Sequence, residues 1–316
     1  MTEKKIIAII GATGAQGGGL ARAILNDKNG GFTVRAITRN INSEKAKALA
    51  EQGAEVVSAN LDELDSLIKA FNGAYGVYCV TNFWEHLSPE KEIEQAHNMA
   101  KAAKAAGVKH AIWSTLDDTR KFIPLSDNRM PTLMGKYKVP HFDGKGESDH
   151  FFKDEGVPVT ILETVLYWDN FIYFGMGPKK GPDGKLGLTF PMGDKRLSGI
   201  AAGDIGKCAY GIFKSENEYI GKTVGIAGEH LTVSDIAKIF SKIMGKEVYY
   251  NDISPDIYRK FGFPGAEDLG NMFQFYRDFE ESFVASRSVE ISRKLNPELQ
   301  SFEVWLTKNK DRIPLE

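Results

Sequence analysis

The chain has 316 residues, with 40 Lys and Arg against 42 Asp and Glu, 42% hydrophobic residues, 32 Gly, 12 Pro and 2 Cys. That is length for about two domains of ~150 residues, with apolar material for a substantial core, so disorder is excluded as the dominant state. A net charge of −2 makes a general nucleic-acid or polybasic membrane binder a poor reading, and two cysteines supply neither a disulfide framework nor a structural zinc site.

No apolar run approaches the ~20 residues of a membrane span. Lys4-Lys5 before the apolar run at 6–10 imitates a signal peptide, but five apolar residues fall short of the ~7–15 of an h-region. A cytoplasmic location is expected, with nuclear import left open.

Residues 6–10 (I-I-A-I-I) are a β-branched run of the kind that a strand buried on both faces requires. The turn Gly11-Ala12-Thr13-Gly14-Ala15-Gln16-Gly17 follows, then a helical pattern with Leu20, Ala21, Ile24 and Leu25 apolar. Strand, glycine turn and helix are the context of a dinucleotide fingerprint, spaced here G-x-x-G-x-x-G rather than G-x-G-x-x-G. Gly11 permits the tight turn, Gly14 the approach of a pyrophosphate and Gly17 close helix packing, while the helix N-terminus offers N–H groups to the anion. The bland alternative is a loop that merely turns the chain; the flanking elements favour the cofactor.

The next strand, 32–38, ends on Thr38-Arg39-Asn40, where an NAD-specific site carries a carboxylate. A guanidinium there suits a 2′-phosphate, so NADP(H) is the expected cofactor. A helix at 44–51, a strand at 55–58, a helix at 64–71 and a strand at 77–80 continue the alternation. Ser88-Pro89 starts a helix that Gly107 ends, and a strand follows at 108–113. Glu90, Glu92 and Glu94 read as the solvated face of that helix. The fold class is α/β, a doubly wound parallel Rossmann sheet.

A polar loop spans 117–140, a helix opens at His141 and ends before Gly156, and a strand follows at 159–162. Beyond Asn170 the alternation breaks. Residues 175–187 read as an exposed loop, 197–214 as a strand-like edge plus helix, 232–244 as a capped helix and 248–250 as a short strand, with another helix from Ser254-Pro255. Phe273, Phe275, Tyr276, Phe279 and Phe283 read as packing, any surplus serving a partner surface. The expected domains are 1–170, with 197–228 returning to it, and a smaller, mostly helical C-terminal domain of 171–196 and 229–316.

The segments G-A-T-G-A-Q-G-G at the first turn, V-T-N-F-W-E at 80–85 and H-F-D-G-K-G-E at 141–147 resemble the NmrA-like family, atypical members of the short-chain dehydrogenase superfamily. So do P-D-G-K at 182–185, G-F-P-G-A-x-D-L-x-N-M-F at 262–273 and L-N-P at 295–297. The likeness runs from the first strand to the last helix and is strongest to the NmrA-like family domain-containing protein group, which resembles NADP(H)-binding redox sensors. It implies that Gly11, Ala12, Thr13, Gly14, Ala15 and Gln16, with Gly17 behind them, hold the pyrophosphate. Arg39 would take the 2′-phosphate, and Asn60 and Leu61 would border the adenine. Thr81, Asn82 and Phe83 would lie under the nicotinamide half, Lys145 on its ribose, with Tyr167, Trp168, Asp169 and Asn170 closing the pocket. Glu94 stands where some relatives carry a lysine.

In active members of that superfamily a Tyr precedes the Lys by four positions. Here His141 precedes Lys145 by four, and Tyr137 lies a turn further away. A structural role for His141 outweighs an acid role at this level, and Ser114 is either the superfamily serine or a strand-end cap. The implied function is an NADP(H)-binding regulatory protein, a redox sensor acting through a protein partner without efficient dehydrogenase turnover. The alternative is an NADPH-dependent reductase of the isoflavone-reductase-like type, with Lys145 as its catalytic acid/base. Loops 117–140 and 175–187 are the expected moving parts. The histidine spacing suggests no metal, Cys79 and Cys208 read as inert core thiols, and no basic helix suggests direct nucleic-acid contact. No membrane association is expected, and a homodimer stays open.

Overall fold

A computed structural model describes residues 4–181 and 183–315; position 182, the proline of P-D-G-K, lies outside the described residues. The chain runs β1 (Lys5–Ile10), α1 (Ala15–Asn26), β2 (Phe32–Thr38), α2 (Glu44–Glu51), β3 (Glu55–Ser58), α3 (Leu64–Phe71), β4 (Gly76–Cys79), α4 (Pro89–Ala105), β5 (His110–Thr115), α5 (Pro140–Glu147), α6 (Asp149–Asp154) and β6 (Val159–Glu163). It continues with β7 (Leu166–Tyr167), α7 (Asn170–Tyr173), β8 (Lys179–Lys180), β9 (Leu186–Phe190), β10 (Arg196–Ile200), α8 (Ala202–Lys214), β11 (Thr223–Gly225), β12 (Glu229–Thr232), α9 (Val233–Met244) and β13 (Val248–Asp252). Five α-helices close the described chain: α10 (Pro255–Tyr258), α11 (Ala266–Asp278), α12 (Glu280–Ser286), α13 (Val289–Leu295) and α14 (Phe302–Asn309).

Seven strands form a parallel sheet in the order β11-β6-β5-β4-β1-β2-β3. Side chains alternate across it: Ile7 and Ile9 join one buried cluster, while Ala8 and Ile10 join the other. Both faces are therefore apolar, which is why β1 reads as an uninterrupted run. The order reverses between β1 and β4, so the crevice above their C-terminal ends is the ligand position of such sheets.

Element ends differ from the sequence reading for local reasons. The strand expected at 108–113 begins at His110, because the Val108 N–H still bonds Ala103 O across Gly107 at φ +65°. The helix expected from His141 to Gly156 is two helices. The Ser148 hydroxyl donates to Gly144 O at 2.7 Å at their junction, a back-bond that bends helices.

Helix α8 lies against α1, and β11 joins the edge of the main sheet next to β6. Beside the C-terminal helices stand two small sheets, β12-β10-β7 and β13-β9-β8. The 175–187 stretch is thus not a plain loop, since β8 pairs antiparallel with β9. The 117–140 loop is not a loose flap either. The buried Asp143 carboxylate accepts the Thr119 N–H and hydroxyl and the N–H groups of Lys138 and Val139, while Lys138 Nζ donates to the carbonyls of Asp127 and Met130. Among the described residues no helix is long and apolar enough to cross a membrane.

Candidate functional site

β1 is followed by Gly11 at φ +66°, whose carbonyl accepts the Gly14 N–H at 2.8 Å. A Cβ at Gly17 would stand 2.5 Å from Gly11 O, so only glycine lets α1 start this close to the strand. No side chain caps the first turn of α1 and no acidic residue occupies it. Its N–H groups therefore remain directed at the crevice, as an anion site requires.

The crevice is a cleft of about 700 Å³ running from this turn past Arg39, Asn60 and Leu61 to Thr81, Asn82, Phe83, Lys145, Tyr167 and Asn170. Gly11, Thr13, Gly14, Ala15, Gln16 and Gly17 line its floor. Three expected residues do not face it. Ala12 is buried in the core behind the turn. Trp168 follows Tyr167 at the end of β7 and points to the opposite side, against Phe302 and Trp305. The Asp169 carboxylate accepts the Ala202 N–H at 2.8 Å and anchors the start of α8 instead.

At the adenosine end, the two terminal guanidinium nitrogens of Arg39 donate to Glu85, Nη2 at 3.1 Å, and this pairing raises the Arg39 pKa. Behind it, Gln95 and Lys91 hold Asp62, whose pKa is lowered chiefly by the Gln95 hydrogen bond. Gln16 is largely buried in the cleft floor, and its side-chain amide is held by three hydroxyls. Its Oε1 accepts from the Tyr78 and Ser114 hydroxyls, the latter at 2.7 Å, and its Nε2 donates to Tyr167 Oη. Ser114 thus secures the glycine turn.

At the far end, α5 presents His141 and Lys145 one turn apart on the cleft side. Each is backed by a buried carboxylate from another element. Lys145 Nζ lies 2.9 Å from Glu92 Oε1 and 2.5 Å from Thr81 Oγ1, and the Thr81 hydroxyl donates to Glu92 at 2.6 Å. Glu92 is 0% exposed, which corrects its reading as part of a solvated face, whereas Glu90 and Glu94 are exposed as expected. His141 Nδ1 lies 2.6 Å from Asp268 Oδ1, and Asp268 Oδ2 accepts the His141 N–H at 3.2 Å.

The 262–273 segment closes this end. Phe263, Pro264, Leu269 and Met272 line the cleft together with Trp84, Phe142 and Tyr276. Gly265, at φ +86°, lies under the Trp84 ring, which a Cβ there would meet at 2.7 Å. Asn271 Nδ2 ties the carbonyls of Pro131 and Lys138. The phosphate-turn residues were legible from the glycine spacing and the rest of the cofactor half from the family resemblance; Glu85, Glu92 and Asp268 were not, because each acts on a partner distant in sequence. Cys79 and Cys208 are buried, and burial pushes both thiols up, away from reactivity. No cluster of metal-ligating residues occurs among the described residues.

A doubly wound parallel sheet with a glycine turn at its switch point defines a Rossmann-fold protein. The model of the NmrA-like family matches residues 3–306, and the chain belongs to that family. It is 31% identical to an NmrA-like family domain-containing protein of Dictyostelium discoideum, covering 97% of this chain and 98% of that one. It is 29% identical to the NmrA-like family domain-containing oxidoreductase FrzB of a Cladobotryum species, over 85% of this chain and 83% of that one. Among solved structures it is similar to NmrA, a negative transcriptional regulator, in complex with NADP, with a TM-score of 0.78 and 22% identity over 97% of this chain and 95% of that one.

Proposed function

We propose that the cleft binds NADP(H) and that the protein uses it to reduce a small, apolar acceptor seated under the 262–273 segment. The glycine turn and open helix N-terminus fit a pyrophosphate, and Arg39 fits a 2′-phosphate. Lys145, held on Thr81 and Glu92 at the cleft wall, suits a ribose hydroxyl by its charge and donors. Bound there, the reduced cofactor supplies a hydride. The observation that carries the reading is the far end of the cleft, where two ionisable side chains with buried carboxylate partners face an aromatic and aliphatic pocket. Holding a nucleotide requires no such chamber. The relative FrzB, called an oxidoreductase, agrees with it.

Parallel titration with NADPH, NADP+ and NADH, then NADPH consumption across quinones, enones and aldehydes, tests the reading. The expected result is preferential binding of the phosphorylated cofactor and turnover with at least one acceptor class. Tight binding with no consumption across the panel would replace it with a second reading, a redox-sensing regulator acting through a protein partner or as a homodimer in the cytoplasm. That reading draws on Arg39 and Glu85, because a 2′-phosphate must compete for the guanidinium and would couple occupancy to the conformation of the cleft mouth.

A further inference from the structure

We infer that His141 is the catalytic proton donor of this site, and that Asp268 is the positioning residue that aims it; the inference rests on the reductase reading above. One carboxylate grips the histidine twice, by the main-chain N–H and by the ring Nδ1, across 127 positions of sequence. Such a grip fixes the ring plane and directs the Nδ1 proton to Asp268, which leaves Nε2 to do the exchanging. Nε2 makes no hydrogen bond to the described residues, yet it is absent from their buried, unpartnered atoms, and the ring lines the cleft. Among the described residues, the ring opens on the pocket.

The other well-packed histidines differ. His230 uses both nitrogens, Nδ1 with Ser198 Oγ at 2.7 Å and Nε2 with Arg287 O at 2.9 Å. His110 Nε2 is bonded to Thr160 inside the sheet, and burial lowers its pKa to about 4. His141 alone of these three is oriented by a carboxylate and open to a chamber. Around it stand the rings of Phe83, Trp84 and Phe142, with centroids 5.8, 5.0 and 4.9 Å away, so the proton-transfer position has an apolar wall.

The acceptor class follows from the chemistry. A carbonyl carbon that gains a hydride pushes its π-electron pair onto oxygen, and the oxygen needs a proton. The Nε2–H bond of the imidazolium breaks as the O–H bond forms; the imidazole is left neutral and regains its proton from water. The cofactor is oxidised, the carbonyl is reduced to an alcohol, and one proton is consumed per turnover. An aryl aldehyde or enone fits both the apolar lining and this demand.

The test uses His141→Gln, Asp268→Asn and His141→Ala in the full chain. NADPH binding is followed by fluorescence, turnover by a panel of aryl aldehydes, enones and quinones, and the imidazole tautomer by nitrogen NMR of histidine-labelled protein. In the wild type, neutral His141 should carry its proton on Nδ1, and Asp268→Asn should give a mixture. His141→Gln should lower kcat about a hundredfold or more while NADPH affinity holds. Added imidazole should restore part of the rate in His141→Ala, a rescue that a merely structural role would not give. Unchanged kcat in His141→Gln, or a wild-type Nε2–H tautomer, overturns the inference while the reductase reading stands. Wild-type protein that binds NADPH but consumes none with any acceptor overturns the reductase reading, and the donor role with it.

Discussion

Lys145 Nζ stands 2.9 Å from Oε1 of Glu92, a carboxylate that no solvent reaches. The second oxygen of Glu92 has no protein partner among the described residues, so the lysine and Thr81 are what hold the charge in place. Removing one member of a buried pair costs about 3–5 kcal/mol, because the other charge is stranded, whereas replacing both by apolar groups is often neutral. Lys145→Met should therefore destabilise the protein by about that amount in urea denaturation. The double variant Lys145→Met/Glu92→Leu should recover most of the loss while NADPH binding stays weak. Equal stability of single and double variants would show that the pair is not coupled.

The Arg39–Glu85 pair sits at the other end of the cleft and is exposed, at 67% and 44% for the two side chains. Exposed ion pairs contribute about 0.2–1 kcal/mol, so Glu85 can weaken binding of a 2′-phosphate only modestly, by up to about fivefold. Glu85→Gln should tighten NADPH by that factor and leave NADH unchanged, with the difference shrinking at high salt. Arg39→Asp should abolish the preference for the phosphorylated cofactor. Fluorescence titration of both nucleotides against both variants reads this directly; an NADPH affinity indifferent to Arg39 would remove the 2′-phosphate assignment.

Much of the first half was legible because its signals are local. The apolar run before Gly11 and the turn at Gly11, Gly14 and Gly17 specify strand, turn and helix within one short stretch, and Ser88-Pro89 marks a helix start where Ser88 Oγ does accept the Lys91 N–H. Glu92 carried a signal that acidic composition masked. It shares a helical stripe with Ala96, Met99 and Ala103, all buried, so its position along α4 places it inside. Trp168 was misplaced because a family correspondence treats consecutive residues as one wall, whereas an extended chain turns alternate side chains away; Asp169 was misplaced because the chain has already turned helical there and its carboxylate is taken by the Ala202 N–H. The His141–Asp268 contact had no local signature. Its two halves lie in the two segments most specific to the family, and only the fold brings them together.

The glycine cluster divides between two tasks, and the second is testable. Gly17 lets α1 approach the strand, but Gly19 faces α8, where a Cβ would stand 2.6 Å from Gly203 O. The reciprocal position is Gly206, whose Cβ would meet Leu20 N at 2.1 Å. Gly206→Ala must push α8 off α1 and should cost about 1–3 kcal/mol or more, with a matching loss of NADPH affinity because α1 carries the phosphate turn. Gly203→Ala is the control. Nothing lies within 4 Å of a Cβ there, so alanine should be neutral or add up to about 1 kcal/mol through helix propensity. Equal thermal midpoints for the two variants would refute the close-approach account.

Asp149 gives the pH dependence. Burial pushes its carboxyl up to about 7, and hydrogen bonds from Thr115 and Trp113 offset this only in part, the Trp113 Nε1–H donating at 2.9 Å. Once unfolded, the group releases its proton near the usual ~4. Between those values the folded chain binds a proton that the unfolded chain does not, so this carboxyl makes stability fall as pH rises from about 4 to 7. His110 acts in the opposite direction. Its folded pKa is depressed to about 4, so it removes stability as pH falls from ~6.5 towards that value. Asp149→Asn keeps an acceptor for Trp113 and carries no charge. It should raise stability by about 1–2 kcal/mol at about pH 8, where the native carboxylate must stay ionised inside the protein. The gain should shrink as pH falls and vanish only below about pH 4, where the folded and unfolded carboxyls are both protonated. Thermal melts of both proteins across that range decide the matter, and a gain of equal size at both ends would mean that Asp149 is ionised throughout.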